Sequence, residues 1–93
     1  MSEPRYSADP PSQLHSVELD GLTALFHLPS GTTHILAPPA PQILHVLARG
    51  PATAATILTR LKRSYALGNA AAAREALTAR LSELEQAGLV RRA

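Results

Sequence analysis

Histidines are the side chains of this sequence best suited to bind a metal ion or move a proton. His27 and His34 flank the turn signal Pro29-Ser30-Gly31-Thr32, and a two-residue turn there would place them directly opposite each other. A zinc site needs at least three protein ligands, and the same pairing puts His15 on the other face of the sheet. We therefore expect no metal site, and we interpret the two histidines as facing solvent or a partner.

Nucleophilic catalysis has little support in the sequence. The chain contains no cysteine, and Ser30 lies in a turn, where serine is common for conformational reasons. Neither a strained nucleophile turn nor a positioned His–carboxylate pair is visible, and no Gly-rich phosphate-binding loop is present. We expect a protein that is not an enzyme and that needs no cofactor.

The composition favours helices with one small sheet. Apolar residues make up 45% of the 93 residues and aromatic residues only 3%, so the β-branched and aromatic side chains of a large sheet are missing. Residues 1–13 are polar and Pro-containing, which predicts a flexible N-terminal arm, and residues 14–93 are predicted to form a single domain. No signal peptide or membrane-spanning segment is recognisable, and we expect a cytoplasmic location.

Two turn signals predict a three-stranded meander. Two-residue loops at Asp20-Gly21 and Ser30-Gly31 would pair Val17 with Ala24 and Phe26 with Ile35. Most apolar side chains then share one face, which we expect to pack against helices. That face contains Val17, Leu19, Leu22, Ala24, Phe26, Leu28, Thr33, Ile35 and Ala37. The other face, with Leu25, His27, His34 and Leu36, is expected to point outward.

Three helices are predicted after the meander. Pro38, Pro39 and Pro41 end the third strand, and this strand should remain an unpaired edge of the sheet. Apolar spacing and capping signals then predict helices from Pro41 to Arg49-Gly50, from Thr53 to near Leu67-Gly68, and from Asn69 to Gly88. The expected fold class is α+β and winged-helix-like, a three-stranded antiparallel N-terminal meander followed by three helices (β-β-β-α-α-α).

The unpaired edge and the Ala-rich third helix together predict a peptide-binding trough. An extended peptide can add a strand to such an edge, and the small side chains of residues 70–79 leave room beside the helix. Arginines in the trough would favour an acidic peptide. The candidate peptide-binding residues are Thr33, His34, Ile35 and Leu36 on the strand, and Arg74, Leu77, Thr78 and Leu81 on the helix.

A resemblance to a known family points the same way. The segments Leu19-Asp20-Gly21-Leu22-Thr23-Ala24-Leu25-Phe26-His27 and Ser30-Gly31-Thr32-Thr33-His34-Ile35-Leu36 resemble the PqqD-like peptide chaperones, or RiPP recognition elements, in the branch found beside HPr-kinase-related proteins. The resemblance covers roughly residues 14–91. It implies a domain that captures the leader segment of a ribosomally made precursor peptide between the third strand and the third helix. It also implies a modifying enzyme, kinase-like or transferase, as the partner that receives the peptide.

Two other functions remain open at this point. Residues 41–93 carry eight basic and three acidic side chains, and a winged-helix nucleic-acid-binding regulator would use Arg74 and Arg80, although the chain lacks the second wing strand. We expect nucleic-acid binding to be the weaker alternative. A homodimer is the third hypothesis, through an outward patch formed by Leu25 and Leu36 beside His27 and His34.

Overall fold

A computed structural model describes residues 3–62 and 70–92 of the chain. Its strands are β1 (Arg5–Ala8), β2 (Leu14–Leu19), β3 (Leu22–His27), β4 (Thr32–Leu36), β5 (Ala52–Thr53) and β6 (Val90–Arg92). Its helices are α1 (Ala40–Leu47), α2 (Ala54–Lys62) and α3 (Ala70–Gln86), and a short 3-10 helix covers Pro11–Gln13. The predicted end of the second helix near Leu67-Gly68 and the predicted cap at Asn69 lie outside the described residues.

The predicted α+β fold is confirmed. Strands β2, β3 and β4 form an antiparallel sheet in that order, and three helices follow it along the chain. A second small sheet, with the order β5-β1-β6, was not expected from the sequence. The predicted start of α2 is also confirmed, because the backbone N–H of Thr56 donates to Oγ1 of Thr53 over 3.2 Å and so satisfies a helix-terminal donor.

The first hairpin has the predicted register and the second does not. Val17 pairs with Ala24 as expected, but Phe26 pairs with Thr33 instead of Ile35. A two-residue loop would have needed Pro29 in the closing hydrogen-bonded pair, and proline has no N–H to donate. The chain instead uses a four-residue loop, closed by the N–H of Gly31 donating to the carbonyl oxygen of His27 over 2.8 Å.

The predicted orientation of the meander was wrong. Leu25 is 4% exposed and His27 is 6% exposed, whereas Val17 is 59% and Ile35 is 63% exposed. The register error is not the cause, because a shift of two residues leaves every side chain on its original face. Alternation separates the two faces of a sheet, but tertiary contacts decide which face the helices cover. Here Leu14 and Leu36 pack against the core beside Leu25.

The predicted flexible arm was also wrong for part of its length. Strand β1 lies between β5 and β6, and Tyr6 pairs with Ala52 on one side and with Arg92 on the other. Tyr6 is 8% exposed and belongs to the hydrophobic core. A four-residue strand with one large apolar residue gives almost no local signal, and its partners are both far away in the sequence.

The helices supply most of the core. Leu77, Leu81 and Leu84 of α3 are buried, and the helix is followed by Gly88, whose φ of 81° ends it as predicted. No helix in the described part of the chain is long and apolar enough to cross a membrane. The buried apolar residues are Tyr6, Leu25, Ala40, Ile43, Leu44, Val46, Leu47, Ala52, Ile57, Leu58, Leu61, Leu77, Leu81, Leu84, Leu89 and Val90.

The orientation of the meander can be tested by a pair of leucine substitutions. Leu25→Ala removes a buried side chain and should lower the free energy of unfolding by about 2–5 kcal/mol. Leu28→Ala, at a position that is 42% exposed, should lower it by about 1 kcal/mol or less. Urea unfolding monitored by circular dichroism measures both. A larger loss for Leu28→Ala than for Leu25→Ala would contradict this orientation.

Candidate functional site

Strand β4 offers a row of unpaired backbone groups. The N–H of Leu28 donates to the carbonyl oxygen of Gln13. Because hydrogen-bonded residues alternate along an antiparallel strand, the even-numbered residues of β3 form the backbone hydrogen bonds with β2. The odd-numbered residues of β3 therefore bond to β4, and their partners there include His34 and Thr32. Thr33 and Ile35 must then direct their N–H and C=O groups away from the sheet. Among the described strands none pairs with this side of β4.

An apolar groove lies between α2, α3 and the segment that follows β4. Its volume is about 240 Å³. Small side chains on α3 form one wall, as the Ala-rich run predicted, while α2 and a proline close the other side. The lining residues are Pro39, Leu58, Leu61, Ala72, Ala73, Ala76 and Leu77.

Two indirect sets of contacts relate the ends of α3 to the meander. At the C-terminal end of β4, Pro39 shares the groove with Ala73 and Ala76 near the start of α3. At the N-terminal end, the residues that follow α3 reach the sheet, because Arg91 pairs with Asp9 and Asp9 pairs with His27. These contacts bring the two ends of α3 towards opposite ends of the sheet, and a trough between the strand edge and the groove is part of the function proposed below.

The candidate residues on the strand fit this trough. Thr33 and Ile35 are exposed, and His34 and Leu36 are half-buried. Leu77 is 3% exposed but lines the groove. Leu81 has no exposed surface, so it belongs to the core and can act only by supporting the helix.

Two helix residues from the sequence hypothesis lie on the other flank of α3. Arg74 and Thr78 line a separate shallow depression with Glu75, Ala79 and Ser82. Successive helix residues are about 100° apart, so Arg74 and Thr78 face away from the side of α3 that carries Ala73 and Ala76. Arg80 follows Ala73 by two turns and therefore continues the groove side. We correct the predicted helix contacts accordingly.

The groove residues on other elements were missed by the sequence analysis. Pro39, Leu58 and Leu61 line the groove from two different elements. The two leucines are buried core residues, and only the packing of α2 against α3 shows that they also face a cavity. The alanines of α3 were the one local signal.

Hydrogen bonds connect the two predicted hairpin histidines. His27 and His34 do not pair directly, since His27 lies opposite Thr32. Nδ1 of His27 lies 2.7 Å from Oγ of Ser30, which lies 2.6 Å from Oγ1 of Thr32, and that atom lies 3.0 Å from Nε2 of His34. No cluster of three metal-binding side chains occurs among residues 3–62 and 70–92.

The same hydrogen-bond chain extends to the residue that follows β1. Nε2 of His27 lies 2.6 Å from Oδ2 of Asp9, and Arg91 donates to Oδ1 of the same carboxylate over 3.0 Å. A carboxylate only accepts, so Nε2 of His27 is the donor, and in a neutral ring Nδ1 then accepts from Ser30. The chain from Asp9 to His34 thus links the N-terminal strand to the candidate peptide-binding strand.

A His–carboxylate pair beside a serine was not expected from the sequence. The order Asp9–His27–Ser30 is the connectivity of a hydrolase triad, but a hydrolase also needs free donors for an oxyanion. The N–H of Gly31, next to Ser30, is already donated to the carbonyl oxygen of His27. The hydroxyl of Ser30 is also engaged with Thr32. The Ser30 hydroxyl thus connects His27 and Thr32 within one continuous hydrogen-bond chain.

The arginines near α3 are paired with carboxylates. Arg74 pairs with Glu3, Arg80 with Glu83, Arg91 with Asp9, and Arg92 with Glu85, at distances of 2.7–3.3 Å. Nucleic-acid binding depends on basic side chains that neutralise phosphates. These arginine side chains are largely exposed, and exposed ion pairs contribute little, so either a phosphate or an acidic peptide side chain could displace the carboxylates.

The fold and site together define a small α+β domain with an unpaired strand edge beside an apolar helix groove. The chain is similar in structure to TbiB1, solved in complex with the TbiA(beta) leader peptide. The TM-score is 0.67 at 20% sequence identity, and the match covers 91% of this chain and 94% of that chain. No family model and no curated protein sequence matches the chain. The similarity to TbiB1 shows a shared fold over nearly the whole chain.

The Asp9 carboxyl should make stability depend on pH. Its hydrogen bonds with His27 and then with Arg91 hold the pKa of Asp9 below its ordinary value of 3.8. A lowered pKa stabilises the folded state above the unfolded pKa, and this contribution is lost as the pH falls through the folded pKa. We expect the free energy of unfolding to drop below about pH 4, and to drop less steeply in Asp9→Asn.

Urea unfolding at a series of acidic pH values measures this difference in slope. Asp20→Asn is the matched control, because Asp20 lies in the exposed turn between β2 and β3, outside the hydrogen-bond chain. This control should keep the wild-type dependence. Equal slopes for Asp9→Asn and the wild type would show that the hydrogen bonds to Asp9 do not contribute.

Proposed function

We propose that this protein is a non-catalytic module that captures the leader segment of a ribosomally made precursor peptide and presents it to a modifying enzyme. The observation that carries the proposal is the unpaired edge of β4, and the apolar groove on α3, whose lining includes Pro39 shortly after that strand, supports it. The shared fold with TbiB1, a protein solved with a leader peptide, supports the same conclusion.

Strand addition explains how such a peptide would be held. The outward N–H and C=O groups of Thr33 and Ile35 would bond to the peptide backbone, which gives affinity without regard to sequence. Alternate side chains of an extended peptide point to opposite faces, so every second side chain would turn toward the helices. The groove there is lined by alanines and leucines, and it would select an apolar side chain.

Arg80 gives the trough its charge preference. It lies on the groove side of α3, and its guanidinium is 3.3 Å from Glu83 on the same helix. Exposed ion pairs of this type contribute little to stability, so an acidic peptide side chain could replace Glu83 at low cost. We propose that the leader carries an apolar anchor followed by an acidic residue along the trough.

We propose that a separate enzyme performs the modification, and the hydrogen bonding around Ser30 supports this division of roles. The Asp9–His27–Ser30 connectivity has its neighbouring N–H donor engaged, and the trough is lined by apolar side chains and backbone groups. The chemistry would therefore come from a separate partner, which the resemblance to PqqD-like chaperones implies to be a kinase-like or transferase enzyme.

The outward donor of β4 can be removed without touching the sheet. Ile35→Pro deletes an N–H that the β3–β4 ladder does not use, and proline is tolerated at such edge positions. Ile35→Ala is the matched control because it shortens the same side chain and retains the N–H. We expect Ile35→Pro to weaken peptide binding roughly 10-fold or more, since a peptide carbonyl loses its partner, and Ile35→Ala to weaken it much less.

A displayed library of random peptides, selected against the full chain, supplies the probe. Binders are then measured by titration calorimetry against both variants, and amide shifts should move at residues 33–36. Binders with equal affinity for Ile35→Pro and Ile35→Ala, or a selection that yields none, would count against strand addition. Unchanged circular dichroism shows that each variant is folded.

The groove can be filled from α3. Ala76 is exposed and lines the groove, so Ala76→Leu should occupy the space of the peptide anchor and weaken the selected peptides roughly 10-fold. Ser82→Leu places the same side chain on the opposite, exposed flank of α3 and should leave binding unchanged. Fluorescence anisotropy with a labelled peptide compares the two variants. Equal effects would show that the peptide does not use the groove.

A further inference from the structure

The face of the meander that points away from the helices is apolar and exposed. We call it the outer face, and it consists of His15, Val17, Leu19, Leu22, Ala24, Phe26, Thr33 and Ile35. Its five large apolar side chains are 37–63% exposed. No carboxylate, ammonium or guanidinium group belongs to this set, which leaves His15 as its single titratable member.

The outer face is as large as the largest apolar patch that monomeric proteins commonly expose, and such patches are often functional. The exposed fractions of the five large side chains correspond to apolar surface on the order of 400 Å² on one face of the sheet. Standard specific interfaces bury about 800 Å² on each partner, and smaller ones are typical of reversible contacts. The smaller neighbours Ala24 and Thr33 and the adjoining β2–β3 turn provide additional area around the large side chains.

We propose that the outer face binds the outer face of a second copy of this chain. Burying a charged group without a partner is costly, and two copies of this face would bring no obligatory charge into the contact. A charged partner such as nucleic acid would find no group to pair with. Two sheets can also pack face to face at about 10 Å, with side chains of both interleaved.

The shape of the face is suited to pairing with itself. Val17, Ala24 and Ile35 form one row across the three strands, and the small side chain of Ala24 leaves a depression between two larger neighbours. Phe26 lies two residues further along β3 on the same face. A two-fold axis between Ala24 and Phe26 would insert each Phe26 into the depression of the other copy, and both contacts would be identical.

This surface differs from the one expected for a dimer from the sequence. That hypothesis used Leu25 and Leu36, but Leu25 is 4% exposed and Leu36 packs against the core. A contact on the outer face also leaves the peptide trough open. The free backbone groups of β4 point outward within the plane of the sheet, whereas the side chains of the outer face point perpendicular to that plane. Both surfaces can therefore be occupied at once.

Sedimentation velocity of the full chain over a range of concentrations tests the proposal. We expect a reversible dimer with a dissociation constant in the micromolar range or tighter. Val17→Glu places a charge on β2, at the edge of the sheet farthest from β4, and should weaken dimerisation roughly 100-fold. Ser82→Glu adds the same charge on exposed α3 and should leave the dimer unchanged.

The same variants separate this proposal from peptide binding. At a protein concentration low enough that the wild type is also monomeric, Val17→Glu should retain wild-type affinity for a selected peptide, and its circular dichroism should match that of the wild type. Leu19→Lys provides an independent charge on the same strand and should also yield a monomer. A chain that sediments as a monomer throughout, or a dimer that persists in both outer-face variants, would overturn the proposal.

Discussion

The face of the meander that meets the helices determines the rest of this structure. Leu25 packs into the core, and His27 on the same face is 6% exposed. A buried imidazole needs hydrogen-bond partners, and it finds them in Asp9 and Ser30. Asp9 follows β1, so this requirement joins the N-terminal strand to the meander. The outer face, with Val17 and Ile35, is left to solvent as a consequence.

The sequence predicted the elements better than it predicted their contacts. Local signals, such as the turn at Asp20-Gly21 and the Thr53 cap, specify hairpins and helix ends because they act over a few residues. The orientation of the meander depends on interactions such as Asp9 with His27, separated by 18 residues. Apolar content alone favoured the wrong face. Strand β1 escaped prediction for the same reason, since β5 and β6 are distant in sequence.

The candidate site shows the same division between local and tertiary information. The unpaired edge was predictable because prolines after Leu36 prevent the sheet from continuing. The Ala-rich run indicated space beside α3, and a groove lies there. The flank of the helix that borders the groove was not predictable, because it depends on how α2 packs against α3. Arg74 therefore lies away from the groove, and Glu3 occupies its guanidinium.

The two proposed surfaces share one sheet, and this makes them thermodynamically linked. A strand added to β4 continues the alternation of side chains, so its residues that point away from the helices would join the outer face next to Ile35. Apolar residues at those positions would enlarge the surface that a second copy buries. If the bound peptide raises the affinity of the two copies for each other, the dimer must bind the peptide more tightly than the monomer does by the same factor. Charged residues there would oppose pairing, so the outward positions of a leader would decide whether capture and dimerisation reinforce each other.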